Sequence, residues 1–415
     1  MSILVINAGS SSLKFGLFAP DAADASASGL IDWTADPRRA DLVLKSAAGE
    51  VRYQLDVADH HGPVLHAVRL LTQRDLLPAG PSSRVAAVGH RVVHGGTLFR
   101  ESILIDRNVK ERVAQLAELA PLHNPPALEA IEAAVTALPG VPQVAVFDTA
   151  YFSGLPPSAY VYPLPYAWHT DWGVRRFGFH GISHAYCASR AAALLNRDLA
   201  GVRLVICHLG NGCSATAVGG GVPVATSMGF TPMDGLMMGS RPGSVDPGIL
   251  LYVQRQRGLT AEQLDDALNH GSGLLGVSGI SSDFRRVEEA ARQGHDRARL
   301  ALEIYAGRVR ATVGALAVTL GGLDALVFTA GVGEHSASLR SAACRGLDCL
   351  GLHVDGQANA NCRPDADIAT PGSSARILVI QTREELMIAR ETRRVTSGRQ
   401  PEGTQGPHGL ASRPT

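Results

Sequence analysis

The chain has 415 residues, of which 45% are hydrophobic, and its 38 Lys and Arg balance its 38 Asp and Glu. This length predicts two domains of ordinary size, and the even charge without long like-charge blocks argues against a binder of nucleic acid or membrane surfaces. The 6 cysteines form no C-x-x-C pair, no run approaches a membrane span, and the N-terminus lacks a signal-peptide pattern. These features predict a reduced, cytoplasmic protein with a small-molecule partner.

The opening stretch predicts a hairpin with a polar tip. An apolar run from Ile3 to Ile6 stops at Asn7, passes Gly9 and three serines, and resumes at Leu13. Backbone N–H groups and small hydroxyls at such a tip suit phosphate oxygens. A Walker-type phosphate loop is excluded because it needs Gly-Lys, and no lysine here follows glycine: the lysines are Lys14, Lys45 and Lys110.

Strand-like and helical segments alternate along the chain, which predicts an α/β fold. The strand-like runs are ILVI, AAVGHRVV, QVAVFD, RLVICHL, LDALVFT and ARILVI. The helical segments are 108–119, 126–137, 184–195, 297–320 and 383–393. The polar, Gly- and Pro-rich end of the chain, 396–415, is predicted to be a disordered tail.

The second half of the chain repeats the opening design. ILVINAGSSSLKFGL from Ile3 aligns with LVICHLGNGCSATAV from Leu204, which places Asn7 on His208 and Gly9 on Gly210. Either hairpin alone is commonly an ordinary turn, but two in register predict a duplicated fold. Residues 210–215 also fit the dinucleotide pattern G-x-G-x-x-A, which must open a helix. Because β-prone residues follow, we interpret that match as chance.

A third signal is LDALVFTAGVGEHSASLRSAAC, an apolar strand that runs into Gly331 and Gly333. A helix with Ser336 near its start is predicted to follow. The backbone N–H groups and dipole at such a start attract an anion.

These motifs together resemble the acetate and propionate kinases, members of the superfamily of acetate and sugar kinases, heat-shock chaperone ATPases and actin. The matching motifs follow the family's order. They are NAGSSSLK (7–14), GHRVVHGG (89–96), APLHNP (120–125), FDTAYF (147–152), RRFGFHGISH (175–184), HLGNG (208–212), TSMGFTPMDGLMMGSRPG (226–243), SGLLGVSGISSDFR (272–285), FTAGVGEHS (328–336) and REELMIAR (383–390).

The resemblance implies a duplicated, actin-like (ribonuclease H-like) ATPase fold with two domains around a nucleotide cleft. It implies an N-terminal domain over 1–150, completed by a C-terminal helix near 384–395, and a nucleotide-binding domain over 151–383. It also implies a homodimer.

The implied function is reversible, in-line transfer of the ATP γ-phosphoryl group to acetate, which requires Mg²⁺ or Mn²⁺. Propionate is an alternative acceptor, because one methylene is worth only about 1–3 kcal/mol in an apolar pocket. A nucleotide-switched, non-enzymatic chaperone or filament protein and a sugar kinase are alternatives from other classes. A carboxylic acid is already ionised at neutral pH, so the reaction needs positioning and charge neutralisation rather than a base.

By resemblance, the catalytic residues are Arg91, Asp148, His180 and Arg241. The two arginines would hold carboxylate and phosphoryl oxygens through their planar forks, and His180 would donate to the phosphoryl group in flight. The acetate pocket would comprise Arg91, Val93, Leu122, His123, Phe179 and Pro232.

The resemblance also assigns the metal and nucleotide positions. Asn7, Asp148 and Glu384 would hold the metal, whose preference for oxygen ligands and water requires few protein groups. The nucleotide would contact Ser12, Lys14, His208, Leu209, Gly210, Asn211, Gly212, Asp283, Phe284, Arg285, Gly331, Val332, Gly333 and His335. A zinc site formed by His123, His180 and His208 is an alternative that lacks local ligand spacing.

Three positions depart from the family pattern. His335 stands where Asn is usual, Ser244 where Asp is usual, and Gln381-Thr382-Arg383 where Pro-Thr-Asn is common. These departures concern nucleotide affinity and preference more than the reaction.

Overall fold

Two mixed β-sheets form the framework of the computed structural model, which describes residues 1–398 except positions 10, 21, 37, 58 and 78–84. Within these residues the first sheet has eight strands in the order β5-β4-β3-β2-β1-β6-β8-β7. They are β1 (Ser2–Ala8), β2 (Ser12–Phe18), β3 (Ala27–Asp36), β4 (Arg39–Ser46), β5 (Gly49–Asp56), β6 (Val85–Val92), β7 (Ile103–Leu104) and β8 (Gln143–Phe147).

The second sheet has six strands within the same described part of the chain, in the order β11-β10-β9-β12-β14-β13. They are β9 (Leu204–Leu209), β10 (Cys213–Gly219), β11 (Val222–Thr226), β12 (Ala325–Thr329), β13 (Ala366–Asp367) and β14 (Arg376–Val379).

The helices cover both sheets. They are α1 (His61–Gln73), α2 (Arg107–Gln115), α3 (Asn124–Ala137), α4 (Pro157–Tyr160), α5 (Tyr166–Trp172), α6 (Gly181–Leu194), α7 (Pro247–Arg257), α8 (Ala261–His270), α9 (Gly273–Ser278), α10 (Phe284–Arg292), α11 (Asp296–Thr319), α12 (Ala330–His335), α13 (Ala337–Cys344), α14 (Gly356–Ala360) and α15 (Glu384–Thr396). Short 3₁₀ segments lie at Leu116–Glu118, Asp148–Phe152, Leu199–Gly201 and Asp348–Leu350.

The two sheets share one topology, as the internal repeat predicts. In the first, β1 pairs antiparallel with β2 and parallel with β6, which pairs parallel with β8. In the second, β9 pairs antiparallel with β10 and parallel with β12, which pairs parallel with β14. The α/β prediction is therefore confirmed. Residues 213–219 form a strand and not a helix, so the dinucleotide pattern is a chance match.

Helices α6 and α15 lie between the sheets. One apolar core joins Val5 and Val146 of the first sheet, Ile206 of the second, Ile182 of α6 and Ile388 of α15. Strands β8, β9 and β12 are buried throughout, as expected for parallel strands that are covered on both faces. The C-terminal helix thus packs on the N-terminal sheet, while the domain boundaries themselves stay a prediction.

Two predicted features fall partly outside the described residues. Ser10, in the tip of the first hairpin, is one of them. Of the predicted tail, Thr396 ends α15 and two further residues are described. The third motif differs from prediction because Gly331 and Gly333 lie in the short helix α12. Ser336 caps the next helix, α13, by accepting from the Leu339 N–H.

The contact between α15 and β6 requires a glycine. A Cβ at Gly89 would overlap Thr392 Oγ1 and lie 2.8 Å from Ile388 Cγ2, both on α15. We expect Gly89→Ala to lower the free energy of unfolding by about 1–3 kcal/mol, as overpacking does. Urea denaturation measures this.

Gly307 supplies the matched control. It lies within α11 with no atom near its added Cβ. Gly307→Ala should leave stability unchanged or raise it by about 0.5–1 kcal/mol. Equal effects of the two substitutions would contradict the close packing of α15.

Candidate active site

Three strands of the first sheet deliver polar side chains to one edge. Asn7 lies near the end of β1, Arg91 near the end of β6, and Asp148 directly after β8. Because these strands are parallel, their carboxyl ends meet there. Arg91 donates to Asp148 Oδ2 from Nη2 at 2.6 Å and from Nε at 3.1 Å, and to Asn7 Oδ1 at 3.4 Å.

Asp148 is fully buried, and within the described residues its other oxygen, Oδ1, has no hydrogen bond of full geometry, although the Ile182 backbone N–H is near enough to the carboxylate to lower its pKa. Burial raises the pKa of the Asp148 carboxyl, while Arg91 opposes that rise. Burial alone would lower the pKa of Arg91, but Asp148 and Glu384 outweigh it and raise that pKa. The short contact with Arg91 therefore favours the ionised form of Asp148 against the effect of burial.

Glu384 opens α15 and is buried beside this ion pair. Burial alone would raise the pKa of its carboxyl, but Arg91, His208 and Lys14 outweigh that effect and lower it. Its neighbour Glu385 accepts from the Asn7 amide at 3.4 Å. The C-terminal helix thus adds carboxylates to a site built mainly by the first sheet.

Two histidine rings near Arg91 are stacked on each other. The rings of His180 and His208 lie 4.1 Å apart. Each Nδ1 is hydrogen-bonded to a serine hydroxyl, His180 to Ser214 at 2.9 Å and His208 to Ser183 at 2.8 Å. Burial, with nearby positive groups such as Arg91, lowers both pKa values well below the ordinary range. Both imidazoles are therefore neutral donors at physiological pH.

Arg241 lies in the loop after β11 and donates to the Pro232 carbonyl at 3.2 Å. Among the described residues it forms no ion pair with a carboxylate, and burial lowers its pKa. The pKa of His123 is lowered to about 4, mainly by burial and further by the positive charges of Arg241 and Arg91. Arg91 and Arg241 therefore both lie near His123, and Arg241 has no carboxylate partner in the described part of the chain.

The predicted acetate pocket is only partly enclosed. Val93 and Phe179 are buried within one apolar core. Pro232 is half-buried, whereas Leu122 is 42% exposed.

The predicted nucleotide residues fall into two groups. Leu209 and Phe284 are buried in the core, so their side chains face away from the cleft. Asp283 caps α10 and forms an ion pair with the exposed Arg285. In the other group, most positions are at least partly accessible: Ser12, Lys14, Gly210, Asn211, Gly212, Gly331, Val332 and His335. Gly333 is buried, and His335 Nδ1 lies 2.9 Å from the Gly331 carbonyl oxygen.

Sequence reasoning missed the groups that fix helix α12. The buried Glu334 carboxylate accepts from the backbone N–H groups of Ala330 and Thr382, each at 2.9 Å. Arg340, 1% exposed, donates to the carbonyls of Gly333 and Glu334, each at 2.9 Å. The signal was an acid inside the GVGEHS motif and an arginine one helical turn after Ser336.

Sequence reasoning also missed Ser183, His184 and Ser214, which surround the stacked rings. In the described part of the chain, no group of three His, Cys, Asp or Glu residues could hold a metal ion, so the zinc alternative has no support. None of the helices described combines the length and apolarity that crossing a membrane requires.

Comparisons with known proteins agree along almost the whole chain. The model of the Acetokinase family matches residues 2–390. An acetate kinase from Cyanothece sp. is 50% identical over 398 residues, covering 94% of this chain and 97% of that protein. One from Gloeobacter violaceus is 51% identical over 400 residues, covering 94% of this chain and 98% of that protein.

Solved structures give the same result. The crystal structure of Porphyromonas gingivalis acetate kinase is similar with a TM-score of 0.87 at 39% identity, covering 95% of this chain and 99% of that chain. A propionate kinase from Francisella tularensis is similar with a TM-score of 0.88 at 38% identity, with the same coverage.

The electrostatic link between His123 and Arg241 can be measured directly. We expect His123 to stay neutral between about pH 5 and 8, because burial and the two arginines hold its pKa at about 4. Arg241→Gln removes one repelling charge, so the pKa should rise toward the ordinary value of about 6.5. NMR titration of ¹⁵N-histidine-labelled protein reports both.

Arg112, an exposed residue of α2, supplies the control. Arg112→Gln should leave the His123 titration unchanged. Two results would contradict the arrangement of the two arginines. One is a His123 that titrates near pH 6.5 in the unmodified protein, and the other is a His123 pKa that Arg241→Gln does not change.

Proposed function

This chain belongs to the acetokinase family, and we propose that it transfers the γ-phosphoryl group of ATP reversibly to acetate, giving acetyl phosphate and ADP. One observation supports the proposal most. Arg241 is half-buried with no carboxylate partner among the described residues, and both it and Arg91 lie close enough to His123 to lower its pKa. A half-buried guanidinium without a counter-charge is a site for an anion.

The chemistry of the acceptor suits this arrangement. Acetate is already ionised at neutral pH, so no base is needed, and the obstacle is repulsion between two anions. Arg91 is held in place by Asp148 and Asn7, which fixes the orientation of its fork before substrate binds. Arg241 supplies the second positive charge. Together the two residues would hold the carboxylate in line with the γ-phosphorus.

His180 would stabilise charge on the transferring phosphoryl group. Its ring is neutral, and its φ of 57° at the start of α6 turns it toward the second hairpin. A cation at this place would bind anions before and after transfer alike. A neutral N–H donor gains most when charge develops on the phosphoryl oxygens.

The residues present fit a divalent metal. Asp148 Oδ1 is a buried oxygen without a hydrogen-bond partner in the described part, which is the kind of atom a cation satisfies. Glu384 and Asn7 lie beside the same ion pair. We infer that these three residues hold Mg²⁺ or Mn²⁺, which, when bound, neutralises phosphate charge.

The nucleotide would lie against the second sheet. Gly331, with open space around it, and the hairpin tip at 211–212 would offer backbone N–H groups to the phosphates, while the Gly210 N–H donates to the Gly212 carbonyl at 3.0 Å. Asp283 and Arg285 would border the nucleoside. His335, one of the three departures from the family pattern, lies beside Gly331 on this side. Ser244, another departure, donates its hydroxyl to Asp234 Oδ1 at 2.5 Å.

Propionate is the second candidate acceptor, because the 42% exposure of Leu122 leaves one side of the pocket open. A sugar kinase would need a free acid to deprotonate a hydroxyl, and Asp148 is engaged by Arg91. An assay of acyl phosphate as hydroxamate, with acetate, propionate and butyrate, tests the acceptor. Formation of acyl phosphate from none of them would refute the proposed function.

We infer a homodimer from the family resemblance and a cytoplasmic location from the cysteine pattern and the N-terminal sequence, and both stay predictions.

Arg91 and Arg241, which we propose hold the acetate carboxylate, are called the carboxylate clamp. The clamp predicts that turnover requires the planar geometry of these two side chains as well as their charge. Arg91→Lys and Arg241→Lys keep the charge but lose the planar fork. We expect each to lower turnover about 30- to 1,000-fold, equivalent to roughly 2–4 kcal/mol, with little change in nucleotide affinity. Steady-state hydroxamate assays and nucleotide titration calorimetry measure the two quantities.

Arg112→Lys, on the exposed face of α2, is the control and should keep full turnover. Full turnover in both site variants, or parallel loss of nucleotide binding and activity, would contradict the clamp and favour the nucleotide-switched alternative.

The metal assignment predicts a binding defect that can be separated from turnover. Asp148→Asn and Glu384→Gln each remove an anionic ligand, so Mn²⁺ binding in the presence of ADP should weaken roughly 10- to 100-fold. Electron paramagnetic resonance of free Mn²⁺ measures it, and chelation with EDTA should abolish turnover. Glu303→Gln, exposed on α11, should bind Mn²⁺ normally. Normal Mn²⁺ affinity in both site variants would remove these residues from the metal site.

A further inference from the structure

A fully buried serine lies between two histidines beside the proposed phosphoryl-transfer site. Ser214 Oγ, on β10, is 2.9 Å from His180 Nδ1 and 2.7 Å from His184 Nε2. Ser214 and His184 are both completely buried. Neither was assigned a role by the sequence motifs.

The proton positions in this chain of three groups follow from one unpartnered atom. His184 Nδ1 is buried and has no hydrogen-bond partner within the described residues. Burial lowers the pKa of His184 well below its ordinary value, so the ring is neutral and has one proton. On Nδ1 that proton would be a buried, unpaired donor, whereas on Nε2 it is donated to Ser214.

The remaining protons are then fixed. Ser214 Oγ accepts from His184 Nε2–H, and its own single proton has His180 Nδ1 as its remaining partner. His180 Nδ1 is therefore an acceptor. Since His180 is also neutral, its one proton lies on Nε2. The opposite order would leave His184 with an unpaired N–H group in the core.

The His180 Nε2 atom faces the second hairpin. A Cβ added to Gly212 would lie 3.3 Å from it. This hairpin tip is where the proposed function puts phosphate oxygens. The proton on Nε2 is thus presented on the side where a phosphoryl group would need a donor.

We propose that Ser214, oriented by His184, is a positioning residue that keeps the proton of His180 on Nε2, facing the transferring phosphoryl group. The inference rests on the proposed function for the consequence of that proton, but the proton position itself is independent of any reaction. Without the serine, His180 Nδ1 has no partner to hold the ring and its tautomer.

His208 supplies an internal comparison. Its Nδ1 lies 2.8 Å from Ser183 Oγ, which is itself 2.8 Å from Thr382 Oγ1. Ser183 and Ser214 serve different rings, although the rings are stacked. A change at Ser214 should therefore alter the Nδ1 environment of His180 and leave the tautomer of His208 as it was.

The first test is the ¹⁵N NMR spectrum of histidine-labelled, ligand-free protein at neutral pH. The His180 resonances are assigned by their loss in His180→Asn. We expect protonated Nε2 and an unprotonated, hydrogen-bonded Nδ1. A proton on Nδ1 overturns the proposal. Because no turnover is involved, an inactive protein with the expected tautomer would refute the proposed function alone.

The second test separates positioning from packing. Ser214→Ala should shift the His180 Nδ1 resonance and lower kcat roughly 10- to 100-fold, with KM for acetate changed less than about twofold. Ser214→Thr keeps the hydroxyl and should restore most of kcat. An unchanged Nδ1 resonance or an unchanged kcat in Ser214→Ala overturns the role.

Thr216→Val is the matched control. Thr216 is buried on the same strand, two residues further, and its hydroxyl contacts Thr226 at 3.1 Å rather than a histidine. Loss of this buried hydroxyl should leave the His180 resonances and kcat unchanged. Equal kinetic loss in Thr216→Val and Ser214→Ala would show that buried hydroxyls of β10 matter for packing only, and would overturn the proposal.

Discussion

The buried ion pair between Arg91 and Asp148 is the constraint around which the site is arranged. Taking both charges out of water is costly, and the cost is offset only where contact is short and the remaining polar atoms are satisfied. Arg91 uses Nε, Nη1 and Nη2 on Asp148 and Asn7. Asp148 keeps one oxygen unpaired in the described structure, which leaves it suited to a cation. In the proposed function, the pair therefore fixes the fork of Arg91 and a carboxylate ligand of the metal at once.

The ion pair lies near the two helices between the sheets because glycines allow the backbones to approach each other closely. A Cβ at Gly181, the first residue of α6, would overlap the carbonyl oxygen of Asp148. Only glycine lets the helix begin this near the segment after β8, and the residue before it is His180, in the left-handed region. The same packing that buries α6 between two sheets therefore brings His180 near the ion pair. At the other helix, Gly89 allows α15 to approach β6 and so brings in Glu384.

Local sequence patterns predicted the fold well where the alternation of apolar residues and the positions of glycines determine the structure. The paired hairpins followed from matching apolar runs before Gly9 and Gly210. Strands β3 to β5 were missed, although alternating burial at Ala40, Leu42 and Leu44 is a period-two signal.

Side-chain direction was the harder problem. Leu209 and Phe284 carry the nucleotide motifs but face the core, because a motif does not say which face its members present. The role of Ser214 depends on the orientation of the His180 and His184 rings, which the spacing of residues in the sequence does not reveal.

In the proposed function, the positive charge of the site lies on the arginines and not on the histidines, which favours phosphoryl transfer over tight binding of the substrates. In the proposed function Arg241 attracts an anion before reaction, whereas His123, His180 and His208 are neutral because burial lowers their pKa values, with nearby arginines contributing. Were these rings cationic, they would bind acetate, phosphate and product alike, and binding that is uniform along the reaction gives no acceleration. A neutral N–H group in a fixed direction interacts most strongly where negative charge grows. Burial and the arginines thus lower the basicity of these rings, and in the proposed function their neutrality makes them selective for the transition state, while Ser214 and His184 fix the direction in which His180 donates.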